Sequence, residues 1–288
     1  MKIVVSGGTG FIGTPLVSRL RERGDEVVVL SRDPKHGVEW HPPSPGPWVS
    51  HVREADAVVN LAGASIAGGR WTESRKAQLT SSRLIPLRAL IDAKPRVLIE
   101  ASAVGYYGYI SDETFDESGA RGPGFLAELV DQWESAAREA DSFARVVLLR
   151  FGVVLDKSGG ALKQMLPPFY FGAGGPIGNG KQWMSWVDRD DVIRAIEWAI
   201  DTGSARGIYN VTAPTPVRNR EFSRALGRAV HRPAILPVPA FALRLLFGRG
   251  LADEALIGGQ RAVPSRLQRE GFTFRYPTLE ASLLHIFG

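Results

Sequence analysis

Two periods alternate along the first half of the chain. Lys2 to Ser6, KIVVS, is a short run rich in β-branched residues, the pattern of a strand buried on both faces. Ile12, Leu16 and Leu20 then recur at helical spacing with Val17 beside them, and Gly24 ends that helix. Glu26 to Leu30 is a strand again. "AVVNLA" from Ala57, "RVLIEAS" from Arg96 and "RVVLLRFGVVL" from Arg145 to Leu155 read as further buried strands. Between Gly37 and Gly46 only "VEW" resembles a strand, and the helix expected before it is shortened to a loop. A helix from about Phe125 to Ala140 presents Leu126, Leu129, Val130 and Trp133 on one face. Strands alternating with helices predict an α/β fold built on a doubly wound parallel sheet.

After Leu155 the pattern changes. "GAGGPIGNG", Gly172 to Gly180, reads as a flexible loop, flanked at a distance by Lys163 and closely by Lys181. "WVDRDDVIRAIEWAI" reads as a capped helix and "GIYNVTA" as a strand. Short helices and proline turns follow from Pro214, and "EGFTFRYPTLEASLLHIF" closes as a short strand and a helix. The expected division is a nucleotide-binding domain over 1–155, with 188–212 returning to it. Residues 156–187 and 213–288 then form a smaller C-terminal α/β lobe. A ligand is expected in the cleft between them, over the carboxyl ends of the strands.

The turn after the first strand carries Gly7-Gly8-Thr9-Gly10-Phe11-Ile12-Gly13. Gly7 permits the tight turn, Gly10 lets a pyrophosphate approach the backbone, and Gly13 lets the helix lie close to the sheet. The helix N-terminus offers free N–H groups and partial positive charge to phosphates. This is the dinucleotide clamp of a Rossmann sheet. After the second strand an NAD site usually carries an acid for the ribose hydroxyls. Here Ser31 and Arg32 stand there, with Lys35 close by and Asp33 one or two places late. A guanidinium fork suits a 2′-phosphate, so NADP(H) is expected over NAD.

Composition narrows the class. With 44% hydrophobic and 23% charged residues the chain is an ordinary globular one. It has no cysteine, which excludes disulfides, thiol chemistry and cysteine-ligated zinc. The formal net charge of +5 comes largely from scattered arginines with no aromatic interleaving, so nucleic acid is not an expected partner. No leader pattern and no apolar run of spanning length is visible, so a cytoplasmic protein that acts on a small molecule, with no membrane as a partner, is expected. His36, His41, His51, His231 and His285 share no metal-ligand spacing. Asp188, Asp190 and Asp191 open a helix and read as its cap, so no metal is expected. Trp71, Trp183 and Trp186 read equally as cleft walls or as core.

"SGGTGFIG", "VVNLAG", "LRFGVVL", "WVDRDDV" and "YNVTAP" occur in order along nearly the whole chain. Together they resemble the extended short-chain dehydrogenase/reductase superfamily. More narrowly they resemble its atypical, NAD-dependent epimerase/dehydratase-like branch, whose C-terminal region is of unknown function. "NLAGASIAGGRWTESRKAQLTSSR" and "LPPFYFGAGGPIGNGKQWMSW" match that branch closely. The resemblance implies that Thr9, Gly10, Phe11 and Ile12 line the pyrophosphate and that Leu61, Ala62 and Gly63 border the adenine side. It implies that Gln78 and Arg83 reach phosphates or riboses, and that Ser102 and Val154 lie near the nicotinamide.

The superfamily pairs a strand-end serine with Tyr-x-x-x-Lys on the next helix. None of Tyr106, Tyr107, Tyr109, Tyr170, Tyr209 and Tyr276 has lysine four places on. The serine is Ser102 if aligned on the strand, and its place holds Ala103 if aligned on "YYG". Three alternatives stand. Tyr106 or Tyr107, just beyond the candidate catalytic Ser102, is the proton donor, with Lys163 or Lys181 near it only if the loop folds inward. Glu128, on the helix facing the cleft, is the acid or base. Or the protein binds NADP(H) without hydride chemistry, as a regulator or sensor. The expected activity is oxidoreduction or epimerisation of a small polar substrate, nucleotide-linked or free.

Overall fold

The computed structural model describes residues 1–288, the side chain of Ser111 excepted. The chain enters through β1 (Lys2–Ser6), α1 (Gly13–Glu22), β2 (Glu26–Ser31), β3 (Val38–Glu39), α2 (Trp48–Glu54) and β4 (Ala57–Asn60). It continues through α3 (Glu73–Asp92), β5 (Val97–Ala103), β6 (Ile110–Phe115), α4 (Phe125–Arg138), β7 (Arg145–Phe151) and β8 (Val153–Leu155). Then come α5 (Gly160–Tyr170), β9 (Trp183–Met184), β10 (Trp186–Asp188), α6 (Arg189–Asp201), β11 (Gly207–Val211), β12 (Val217–Arg218) and α7 (Asn219–Ala229). The last elements are α8 (Ala240–Phe247), α9 (Arg249–Leu251), a π-helical stretch Ala252–Ile257, β13 (Gly259–Ala262), α10 (Ser265–Arg269) and α11 (Leu279–Phe287).

Seven strands form one parallel sheet in the order β11-β7-β5-β4-β1-β2-β3. The doubly wound α/β fold read from the pattern is the fold observed. Its strands are apolar on both faces because helices cover both. Ile3, Val5, Val59, Ile99, Val147 and Leu149 pack towards α1 and α6. Their neighbours Val4, Val58, Leu98, Val146 and Leu148 pack towards α2, α3 and α4. Burying each such side chain stabilises the sheet by about 1.5–3 kcal/mol.

The expected strand from 145 to 155 breaks at Gly152, whose N–H donates to the Val211 carbonyl. A Cβ there would lie 2.5 Å from the Ser185 carbonyl oxygen. Beyond the break β8 leaves the sheet and pairs with β10, and the two join a second core around Trp186, Leu162, Phe169, Phe222 and Leu283. β9 pairs with β12, and β6 pairs with β13, the latter tying residues before 155 to residues after 213. β11 (Gly207–Val211) lies beside β7 at one edge of the main sheet. The glycine loop at 172–180 is tied down: Ile177 donates to Asn219 Oδ1 and Gly178 to the Val238 carbonyl.

The closing segment corrects the sequence reading. "GFTFRY" is no strand, because the N–H groups of Arg275 and Tyr276 go to the buried Asp191 carboxylate and not to a neighbouring strand. Phe272 and Phe274 still enter the core beside α6.

Candidate functional site

Gly7 adopts φ +69° where the chain leaves β1, and a Cβ there would lie 2.7 Å from the Leu61 carbonyl oxygen. A Cβ on Gly13 would lie 2.2 Å from the Gly7 carbonyl oxygen. Both positions therefore demand glycine, and the loop curls tightly over the end of β1. α1 begins after Ile12 with no side-chain cap, and its first turn holds no acid. No acceptor among the described residues takes the N–H of Phe11 or Ile12. These orphan donors, with the helix dipole behind them, form an anion cradle. A groove of about 790 Å³ opens beside it, lined in part by Thr9, Gly10, Phe11, Thr14, Ser158 and Arg189.

At the end of β2 the Ser31 hydroxyl accepts from the Asp33 N–H at 3.1 Å. The Asp33 carboxylate accepts from the Lys35 N–H at 3.0 Å and so caps its own short turn. Arg32 is exposed and pairs with no carboxylate among the described residues. Leu61, Ala62 and Gly63 follow β4 directly against the glycine loop. Leu61 N–H donates to the Ser6 carbonyl, and Ala62 N–H to Asn60 Oδ1.

The helix residues differ from the reading in which both reach the cofactor. Gln78 is exposed and accepts from Arg75 at 2.7 Å. Arg83 is buried, donates to the Leu79 and Ala64 carbonyls at 3.0 Å each, and stacks 5.2 Å from the Trp133 ring. Burial, then the nearby Arg75, lowers its pKa to about 10. Arg83 is thus the post that holds the loop after β4.

A second polar layer crosses the ends of the strands. Register places Ser102 of β5, Arg150 of β7 and Asn210 of β11 side by side. Ser102 donates to Glu134 Oε1 of α4 at 2.6 Å. Arg150 clasps the same carboxylate with Nε and Nη2, at 2.7 and 2.6 Å. Its Nη1 donates to the Tyr107 hydroxyl at 2.9 Å. That hydroxyl also lies 2.8 Å from Asn210 Oδ1 and 2.8 Å from the Asp116 carbonyl. Burial pushes the Tyr107 phenol up to about 12, while the Glu134 bonds hold Arg150 above its usual range. One residue earlier, the half-buried Tyr106 ring lies 3.6 Å from the Arg150 guanidinium, and its hydroxyl takes no partner among the described residues.

The two tyrosines are therefore not equivalent. Tyr107, expected as a proton donor, is a packing residue with its hydroxyl tied and its proton held tightly. The Ser102 hydroxyl donates its proton to the buried Glu134 carboxylate. Glu128, expected to face the cleft, is exposed and meets Gln132 at 3.4 Å. Lys163 and Lys181 are exposed, and neither bonds Tyr106 or Tyr107. Val154 sits in β8, half-buried against the main core. Trp186 is core, whereas Trp183 lies between Arg218 and Arg261, at 3.8 and 4.4 Å. Arg261 Nε is buried without a partner. Asp188 caps α6 through the Asp190 N–H, as expected.

Sequence reasoning missed Glu134, Arg150 and the deeper group of Asn60, Glu100 and Trp133. Asn60 Nδ2 bridges the two Glu100 oxygens at 2.8 and 2.9 Å, and Trp133 Nε1 donates to Oε1 at 2.8 Å. Each of Asn60, Glu100 and Arg150 is a polar residue inside an apolar strand run, a signal open to a reader of the sequence.

A parallel sheet with a glycine clamp at the end of its first strand defines a dinucleotide-binding protein. Residues 3–124 match the NAD dependent epimerase/dehydratase family, and residues 238–286 match a domain of unknown function, DUF1731. The epimerase family protein Mb2239 of Mycobacterium bovis is 44% identical over 98% of this chain and 96% of its own. The epimerase family protein YfhF of Bacillus subtilis is 38% identical over 98% and 97%. The crystal structure of human epimerase family protein SDR39U1 with NADPH superposes at a TM-score of 0.89, with 35% identity, covering 99% of both chains. The chain belongs to the NAD-dependent epimerase/dehydratase family, in the extended short-chain dehydrogenase/reductase group whose members carry this C-terminal domain.

Proposed function

We propose that the protein binds NADP(H) and uses it for oxidoreduction or epimerisation of a small polar substrate, nucleotide-linked or free. The observation that carries the cofactor choice is at the end of β2. Arg32 stands free while Asp33 is turned into its own turn. A free guanidinium suits a 2′-phosphate, and no acid there competes for the ribose. The human relative's NADPH supports the same choice. Phe11 and Ile12 N–H groups would take the pyrophosphate, with Thr9, Gly10 and the Leu61–Gly63 turn enclosing it. The cofactor, when bound, supplies hydride transfer.

Tyr106 is the group left to move a proton. Its hydroxyl is unengaged, and Arg150 beneath its ring supplies the positive charge that lysine supplies elsewhere in the superfamily. Glu134 fixes Arg150 in place from the other side. Trp183, Arg218 and Arg261 would bind the substrate's anionic or planar part. The orphan Arg261 Nε supports that role.

A silent NADP(H)-binding regulator is the second reading, favoured by the Ser102 hydroxyl being given to Glu134. Incubating the protein with NADPH and a panel of carbonyl compounds and nucleotide sugars, with nicotinamide absorbance and product analysis followed together, separates the two. Turnover that Tyr106→Phe abolishes and Arg150-preserving controls keep establishes the enzyme. Tight NADPH binding without turnover across the panel establishes the regulator.

A further inference from the structure

The small lobe carries an apolar surface that the cofactor reading leaves unused. Phe171, Ile235, Phe241 and Leu245 are 87%, 75%, 72% and 75% exposed, and Leu236 and Leu246 are exposed beside them in sequence. No residue of α8 is buried. The pieces are neighbours in the fold. Arg232 Nε donates to the Tyr170 carbonyl at 3.2 Å, the Leu236 carbonyl lies against Gly175, and Pro239 opens α8. Single exposed apolar residues are ordinary, but a contiguous set marks a contact surface.

The charges carried on this stretch of chain have one sign. Residues 222–252 hold Arg224, Arg228, Arg232, Arg244 and Arg249 and no aspartate or glutamate. Arg228 and Arg244 meet carboxylates from outside that stretch, Glu280 at 3.5 Å and Asp253 at 2.7 Å. Arg224, Arg232 and Arg249 meet none among the described residues. A second copy of such a face would repel the first. A helix of eight residues with flanking apolar loops, no acid of its own and unpaired arginines on the same stretch of chain suits a layer of phosphates over hydrocarbon. That layer needs no shape match from the protein. No helix is long and apolar enough among the described residues to cross a membrane, so the contact is a lying-on contact.

We infer that residues 170–171 and 235–246 seat the protein on an anionic lipid surface, with apolar side chains entering the interface and arginines meeting headgroup phosphates. The inference does not depend on the cofactor reading. The test is sedimentation of the full chain with phosphatidylcholine vesicles, with and without phosphatidylglycerol. The protein pellets with the anionic vesicles at low salt and is released by high salt. Phe171→Ser with Phe241→Ser weakens the partitioning by about tenfold or more. Arg232→Glu weakens it by about fivefold or more. These side chains are exposed, and unchanged thermal unfolding confirms that the variants fold. Absence of pelleting with anionic vesicles overturns the inference, as does pelleting that the serine variant leaves unchanged. Self-association of the parent that the serine variant removes, with no vesicle binding, gives the face to a second copy. Binding to soluble polyglutamate in place of vesicles gives it to an acidic protein.

Discussion

The Ser102 hydroxyl donates its proton to Glu134 at 2.6 Å, and the same carboxylate is clasped by Arg150 through two nitrogens. All three side chains are buried. The serine near the end of β5 is therefore joined to a buried ion pair. Glu134→Gln leaves Arg150 buried without its counter-charge. Such a loss destabilises by about 3–5 kcal/mol, read as a shift in the urea midpoint at unchanged slope. Replacing both partners by apolar residues recovers most of the loss, because no orphan charge remains. Equal damage from the single and double replacements would count against the pair.

Arg32→Ala weakens NADPH binding by about ten- to hundredfold and leaves NADH binding within about twofold, a loss of roughly 1.4–2.7 kcal/mol against the 2′-phosphate. Titration of the intrinsic tryptophan fluorescence with each nucleotide measures both. Equal losses for the two nucleotides would remove the 2′-phosphate role.

Glu100 gives the fold a pH dependence of unusual sign. Burial pushes its carboxyl from 4.5 up to about 8, against the pull of Asn60, Trp133 and Arg83. Between those values the folded protein holds a proton that the unfolded chain has released, so this group's contribution to stability is full below about 4.5 and is lost as pH rises through about 8. Glu100→Gln removes that dependence. The variant's stability relative to the parent rises from pH 5 to pH 8, by on the order of 1–3 kcal/mol. Chemical denaturation at the two pH values reads it. A relative stability that is flat or falls over that range would show the carboxyl to be charged in the fold.

Much of the architecture was open to a reader of the bare chain, because it follows from period alone. Ile3, Val5, Val59 and Val147 face one helical layer and Val4, Val58 and Val146 the other, which is what unbroken apolar strands require. The clamp was legible for a similar reason: Gly7 and Gly13 are positions where a Cβ meets backbone, and backbone cannot yield. Less of the candidate site was legible. Tyr106 and Tyr107 are adjacent, and nothing in the sequence separates a ring lying on Arg150 from a hydroxyl locked between Arg150 and Asn210. Arg83 looked available because its helix is amphipathic only weakly to the eye, and its carbonyl partner Ala64 lies 19 residues away in the chain. Phe272 and Phe274 alternate as a strand does, but the aspartate that takes the neighbouring N–H groups comes from another helix. Long-range polar pairing, not hydrophobic period, is what the sequence hid.

The start of α4 depends on the far end of the chain. The N–H groups of Phe125 and Leu126 are received by the Glu254 carboxylate, at 3.0 and 2.9 Å. Gly124 has no Cβ to block that approach, for one would lie 2.8 Å from the carboxylate oxygen. The helix that supplies Glu134 thus takes its first turn from a residue over a hundred positions downstream. Replacing the tail by one without an acid at this position would strip the front half's helix of its first-turn acceptor.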